Sequence, residues 1–273
     1  MKITEDPWFR AKVIEKIRAR EFGERTGVHQ SDLNYCLNRQ AFRRLAPKGD
    51  TDRETLIFSL GYSTQRWLTG MDKDEPEMEV DGIKVTTDCV AEGDEYTAIN
   101  TPTGVVYSNE LPWELKATFT SSSKPIEENV AWLRQIMAEC YVRNTTQAKL
   151  TRFCLMGNWL WVWNGRAKPA KLAELVKEHG ENWDDHPVLQ AYNLEFTEEE
   201  IARNWRWLLE RRTLFLQVIE SGKALPKAVS IPSGQEYECK WCAYTKECEE
   251  GGLSIGGVCT CGDCVCTSNN NMQ

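Results

Sequence analysis

The 273-residue chain has no run approaching 18 apolar residues, so no membrane-spanning helix is expected. Its opening stretch, MKITEDPWFRAKVIEKIRAR, is charged throughout and lacks the apolar core of a secretory leader. No leader is expected, and a cytoplasmic location follows as the default. No internal repeat is present, which sets repeat architectures aside. Positive charge is also short: the net charge is −8, which as a single number argues against a nucleic-acid partner. The distribution argues otherwise. Residues 1–53 carry 12 Lys and Arg against 8 Asp and Glu, so a local basic surface exists and the acidic excess lies downstream. Such a surface is enough to hold phosphates.

What is present points to a folded protein. An apolar fraction of 41% with 11 Trp supplies a real core, and the length suits one large domain with insertions or two small ones. Eleven cysteines in a reducing compartment are metal ligands or small buried hydrophobes before they are disulfides.

Helical spacing covers residues 7–22. SDLNYCLNRQAFRRLA is expected to be one helix, with Ser31 as N-cap. A helix over 53–69 ends near Gly70, and a hairpin turns at Asp81-Gly82. A third strand ends in PWELKAT, a polar loop FTSSSKP follows, and 126–143 is an amphipathic helix. KLTRFCLMGNWLWVWNG reads as a hairpin turning at Gly157-Asn158, and 166–187 as an insertion. Alternation of Leu160 and Val162 with Trp159, Trp161 and Trp163 favours a packed strand over a base-stacking platform. LQAYNLEF is a strand, and Thr197 with Glu200 forms a capping box that opens a helix to about 221. The order predicts an α/β fold with one mixed sheet flanked by helices.

In LPWELKAT, Glu114 and Lys116 are two apart on a strand and share one face, with Trp113 and Leu115 on the other. Such a face is either solvated or a site. Asp88, in VTTDCVAEG, reaches the same face if its strand neighbours this one. Two carboxylates that close repel unless a proton or cation intervenes, and oxygen ligands favour Mg²⁺ or Mn²⁺. A metal on Asp88 and Glu114 suits phosphodiester cleavage, with Lys116 orienting water or stabilising negative charge.

ECKWCAYTKEC spaces Cys239, Cys242 and Cys248 as C-x2-C-x5-C, which points to a metal or iron–sulfur site. Cys36, in an Arg-rich helix, is the credible fourth ligand. Zinc and an iron–sulfur cluster both fit four thiolates. Cys259, Cys261, Cys264 and Cys266 follow a Gly-rich linker and form either a second small thiolate site or a tail of reactive thiols. Cys89, Cys140 and Cys154 sit in apolar patterns and read as core. Arg39, Arg43 and Arg44 are candidate DNA phosphate contacts.

Taken together, the Cys of SDLNYCLNRQAF, VTTD, WELK and the closing C-x2-C-x5-C preceded by LPKA resemble the RecB-like PD-(D/E)XK nucleases that carry an iron–sulfur cluster, most of all the CRISPR-associated Cas-four exonucleases. The likeness spans about residues 29 to 248. It implies a PD-(D/E)XK restriction-endonuclease-like core over 54–196. Helical parts, 1–53 and 197–250, are joined by a [4Fe–4S] cluster on Cys36, Cys239, Cys242 and Cys248, and a Cys-rich tail occupies 251–273. It also implies a Mg²⁺ or Mn²⁺ centre on Asp88, Glu114 and the Leu115 carbonyl, a catalytic Lys116, and a DNA substrate, single-stranded or at ends. CRISPR integrase-type or recombination proteins would be its partners, in spacer acquisition or in phage-type recombination and repair. Two positions depart from the pattern. Gln65, in GYSTQ, stands where the family has a metal-binding His, and His29 lies too early to replace it. Gln135, expected in the site, is followed at the spacing of the family's Tyr by Glu139. Two rivals follow: a catalytically weak iron–sulfur DNA-binding or adaptor protein, and a zinc-stapled interaction protein.

Overall fold

The computed structural model describes residues 4–21, 26–49, 51–70, 77–101, 104–118, 125–155, 173–174, 176–177, 180 and 188–253. The Trp-rich half of the second expected hairpin, most of the 166–187 insertion, and Cys259, Cys261, Cys264 and Cys266 lie outside them. The chain divides into two compact units, Met1–Tyr35 with Gly49–Thr213 and Cys36–Lys48 with Leu214–Gln273.

In the first unit, α1 (Pro7–Glu21), α2 (Gln30–Leu33) and α4 (Asp52–Thr69) precede the strands, while α3 (Leu37–Leu45) belongs to the second unit. Thr51 caps α4, its Oγ1 accepting from the Glu54 N–H at 3.2 Å. Gly70 ends the helix in the left-handed region at φ 66°, where a side chain would be strained. β1 (Glu77–Val80) and β2 (Ile83–Thr86) form a hairpin whose turn, Asp81 at φ 51° and Gly82 at φ 71°, has the left-handed pair that a two-residue connection needs.

One sheet was expected, but this hairpin is a sheet of its own. Pairing stops at Thr86, and the chain leaves strand geometry through Thr87 and Asp88. The main sheet has the order β3-β4-β5-β6: β3 (Cys89–Thr101), β4 (Gly104–Thr118), β5 (Gln147–Cys154) and β6 (Val188–Glu195). β4 runs parallel to β5, and the other pairs are antiparallel. A parallel neighbour needs a crossover, here a 3₁₀ turn (Ile126–Glu128) and α5 (Val130–Val142). α5 packs Ile136 and Cys140 against Ala148 and Leu150 of β5 and Ile201 of α6 (Glu198–Ser221). Trimming Leu150 to alanine in this core costs about 2–5 kcal/mol.

The single helix expected over SDLNYCLNRQAFRRLA is two helices, α2 and α3, separated by residues 34–36. Its first cap is His29 rather than Ser31: the His29 N–H donates to Asp32 Oδ2 at 2.8 Å. The break persists because its carbonyls have a better partner than a helical amide. Arg211, buried in α6, donates from Nε to the Leu33 carbonyl at 2.5 Å and from Nη2 to the Tyr35 carbonyl at 2.6 Å.

The second unit packs Leu37, Ala41 and Phe42 of α3, and Phe215 and Val218 from the last turns of α6, as fully buried side chains. It is completed by α7 (Lys227–Ser230), a 3₁₀ turn (Glu236–Trp241) and α8 (Thr245–Glu249). Tyr244 closes this unit: its ring meets Phe42 at 6.1 Å, and its hydroxyl donates to the Ala46 carbonyl at 2.9 Å while accepting the Lys48 N–H. Asn38 holds Leu225 through both of its amide groups, at 2.8 and 2.9 Å.

Candidate functional site

β4 presents Glu114 and Lys116 on one face, and that face is not solvent: Glu114 is 1% exposed. Asp88 sits just ahead of β3, whose Cys89 pairs with Trp113, so antiparallel register carries it to the level of Glu114. Two donors fix its carboxylate. The Leu115 N–H donates to Oδ2 at 2.8 Å, and Gln65 Nε2, from α4, donates to Oδ1 at 3.0 Å. Gln65, whose oxygen was expected to serve a metal, directs its amide nitrogen to Asp88.

Lys116 donates from Nζ to Glu114 Oε1 and to Gln135 Oε1, the latter at 3.0 Å. Burial alone would push its ammonium down, but Glu114, Asp88 and Tyr35 outweigh that and hold its pKa above the ordinary lysine value. It is therefore a fixed positive charge at neutral pH rather than a base.

Glu139 completes the cluster. The i, i+4 spacing on α5 sets it beside Gln135, whose Nε2 donates to Glu139 Oε1 at 3.3 Å. Glu139 has no exposed surface, and its carboxyl lies against that of Glu114. Burial first, then the charges of Glu114 and Asp88, push its pKa well above the usual carboxylate range. The sequence signal for it was there, an acid between Ala138 and Cys140 on the inward side of an amphipathic helix, but spacing had marked it only as a missing tyrosine.

A cavity of about 210 Å³ opens on Asp88, lined among others by His29, Tyr62, Gln65, Lys84 and Gln135. The fold thus brings His29 to the lining of this cavity despite its distance in sequence. Its Nε2–H donates to the Thr26 carbonyl at 3.0 Å, and its Nδ1 stands 3.8 Å from Glu77.

Glu114 Oε2 and Glu139 Oε2 are both buried without a hydrogen-bond partner, an arrangement that costs free energy unless a positive charge is shared between them. Hard carboxylate oxygens of this kind fit Mg²⁺ or Mn²⁺. Among the described residues no group of three or more His, Cys, Asp or Glu is arranged to hold a single ion.

The second unit gathers the other predicted set. Cys36 is the N-cap of α3 and is buried, while Cys239, Cys242 and Cys248 are partly buried. Burial pushes the Cys248 thiol up to about 11, helped by Cys36, Cys242 and Cys239, so all four thiols are electrostatic neighbours. Cys36 is raised by burial and by Glu238 and Cys242. N–H groups point at sulfur: Asn38 Nδ2 lies 3.8 Å from Cys248 Sγ, the Tyr244 N–H 3.4 Å from Cys242 Sγ, and the Arg39 N–H meets the Cys36 thiol. Donors of this kind surround thiolates that carry a metal or cluster. Glu238 was missed by the sequence reading; it accepts the Cys36 N–H at 3.4 Å and pairs with Arg39 at 2.9 Å. Arg39, expected to contact DNA, makes this ion pair with 31% of its side chain exposed, and Arg44 lies over the Phe215 ring at 5.1 Å. Arg43 is in the last turn of α3.

No family model matches the chain, and no curated protein matches it. Among solved structures it is similar to SSO0001, at 14% identity and TM-score 0.43 over 90% of this chain and 96% of that one. It is also similar to a phage-related exonuclease from Haemophilus somnus, at 13% identity and TM-score 0.38 over 72% of this chain and 96% of that one. A third likeness is to LHK-Exo, an alkaline exonuclease from Laribacter hongkongensis, at 12% identity and TM-score 0.34 over 76% and 94%.

Proposed function

We propose that this chain is a divalent-metal-dependent DNA nuclease with a structural iron–sulfur cluster. One observation carries the reading: Asp88, just ahead of β3, and the buried Glu114 of β4 meet a protonated lysine of β4, and a carboxylate oxygen of Glu114 is left without a partner. Asp88 and Glu114 would hold Mg²⁺ or Mn²⁺, with the Leu115 carbonyl as a further oxygen. When bound, the metal supplies Lewis-acid polarisation of a phosphodiester.

The chain's own residues do the rest. The Leu115 N–H and Gln65 fix the rotamer of Asp88, so its carboxylate needs no reorganisation on binding. Gln135 and Glu114 hold the Lys116 ammonium in place, where it orients the attacking water and stabilises negative charge growing on the phosphoryl oxygens. The cavity beside Asp88 is the place for the strand being cut. Cys36, Cys239, Cys242 and Cys248 would hold a [4Fe–4S] cluster. The electrostatic closeness of the four thiols suits a shared metal group, and the choice of a cluster over tetrahedral zinc rests on the sequence resemblance. Action on single-stranded DNA ends, in CRISPR spacer acquisition or phage-type recombination, rests on the sequence resemblance.

The test is Mn²⁺-dependent cleavage of 5′-labelled single-stranded DNA by wild type and Lys116→Ala, with circular dichroism as the check on folding. Cleavage by the wild type and a loss of at least about a hundredfold in a folded variant are expected. Equal rates, or no cleavage by either, would overturn the nuclease reading.

A further inference from the structure

Glu139 is a buried acid that the chemistry above does not use. Glu114 and Glu139, both fully buried, lie with the half-buried Asp88 around a single ammonium, Lys116. If Glu114 and Glu139 are both ionised, one negative charge remains uncompensated where water cannot screen it, an arrangement that burial penalises heavily. The hydrogen-bond donors nearby are already committed. Lys116 is shared between Glu114 and Gln135, and Gln135 has one N–H on Glu139 Oε1. The Oε2 atoms of Glu114 and Glu139 are left as two buried acceptors with no donor on either. Carboxylate oxygens crowd together in a protein only where a proton or a cation sits between them. A divalent cation supplies the missing positive charge and can meet both oxygens.

Resting on the nuclease reading of this site, we propose that Glu139 is a ligand of the same divalent cation as Glu114, each offering its otherwise unpartnered Oε2. The claim concerns that pair, since among the described residues Asp88, Glu114 and Glu139 do not by themselves close a three-ligand group. Gln65 directs its amide nitrogen to Asp88, while α5 adds an anionic oxygen.

The experiment is Mn²⁺ binding to the full chain without DNA, followed by the loss of the free-ion electron paramagnetic resonance signal. Wild type, Asp88→Asn, Glu139→Gln and Glu139→Asp are compared, each checked for folding by circular dichroism. Glu139→Gln keeps the volume and removes the charge, and is expected to weaken Mn²⁺ binding by at least about tenfold while the fold persists. Glu139→Asp keeps the charge and is expected to retain affinity between the two, which a purely structural role would not produce. Wild-type affinity in both Glu139 variants, with Asp88→Asn weakened, overturns the role of Glu139 and leaves the nuclease reading standing. No Mn²⁺ binding by the wild type at millimolar ion overturns both.

Discussion

Glu114 is 1% exposed on a strand, and burial on that scale is tolerated for a carboxylate only with charged partners. Lys116 provides one, and removing it strands a buried charge at a cost of about 3–5 kcal/mol. The Lys116→Ala assay therefore needs its folding control. Glu139 gives the residue scale a pH signature. Its folded pKa lies well above the ordinary 4.5, because of burial first and then Glu114 and Asp88, while Lys116 alone opposes the shift. The folded chain thus binds that proton more tightly than the unfolded chain does. The stabilisation is fully present below about pH 4.5 and is lost as the pH rises through the folded value. In chelator-treated protein, the melting temperature of the wild type relative to Glu139→Gln is expected to fall steadily as pH rises from about 5 to 8. A constant difference across that range would show that Glu139 carries no such proton.

Elements act by bringing residues distant in sequence to one level. β4 carries Glu114 and Lys116, the parallel pairing of β4 with β5 demands a crossover, and the crossover helix α5 delivers Gln135 and Glu139. Helix ends are set by local chemistry of unequal weight. Thr197 caps α6, accepting the Glu200 N–H at 3.2 Å, while Glu200 takes the Thr197 N–H at 2.9 Å. Thr197→Ala is expected to cost about 1 kcal/mol, a fall of roughly 2–4 °C in melting temperature. Arg211→Met is expected to cost more, about 2 kcal/mol or above, because two carbonyls lose a charged donor in a buried place. Thermal denaturation of the two variants side by side checks the order, and an Arg211 variant as stable as Thr197→Ala would contradict the account of the break after α2.

At the scale of the whole molecule, the carboxylate site belongs to one unit and the four thiols to the other. The unit with the thiols joins Cys36–Lys48 to Leu214 and beyond, segments some 170 residues apart in the chain. A cluster on Cys36, Cys239, Cys242 and Cys248 would close that long loop, and loss of it removes the constraint. Anaerobically purified protein is expected to be brown. Cys248→Ser is expected to pale it and to speed amide hydrogen exchange in α3 and α8, while β4 and β5 keep their protection. Unchanged exchange in α3 would remove the case for a structural cluster there.

The sequence was most legible where the signal is local. The Asp81-Gly82 turn, the Thr197–Glu200 box and the Gly70 stop were each readable because the chemistry that fixes them lies within four residues. The period-two face of Glu114 and Lys116 was readable too, and so was the thiol spacing of Cys239, Cys242 and Cys248. What α2 and α3 do was not readable, since helical propensity runs unbroken through residues 34–36 and the interruption is held by Arg211, far along the chain. By itself, then, the sequence determined which side chains could do chemistry and the elements that carry them, because periodicity and capping are short-range. Only the tertiary structure decided that the face of Glu114 is buried, that Gln65 serves Asp88 through nitrogen, that His29 reaches the same cavity, and that Glu139 joins the carboxyl cluster. Burial and charge pairing depend on which strands and helices meet, and that is a property of packing rather than of spacing.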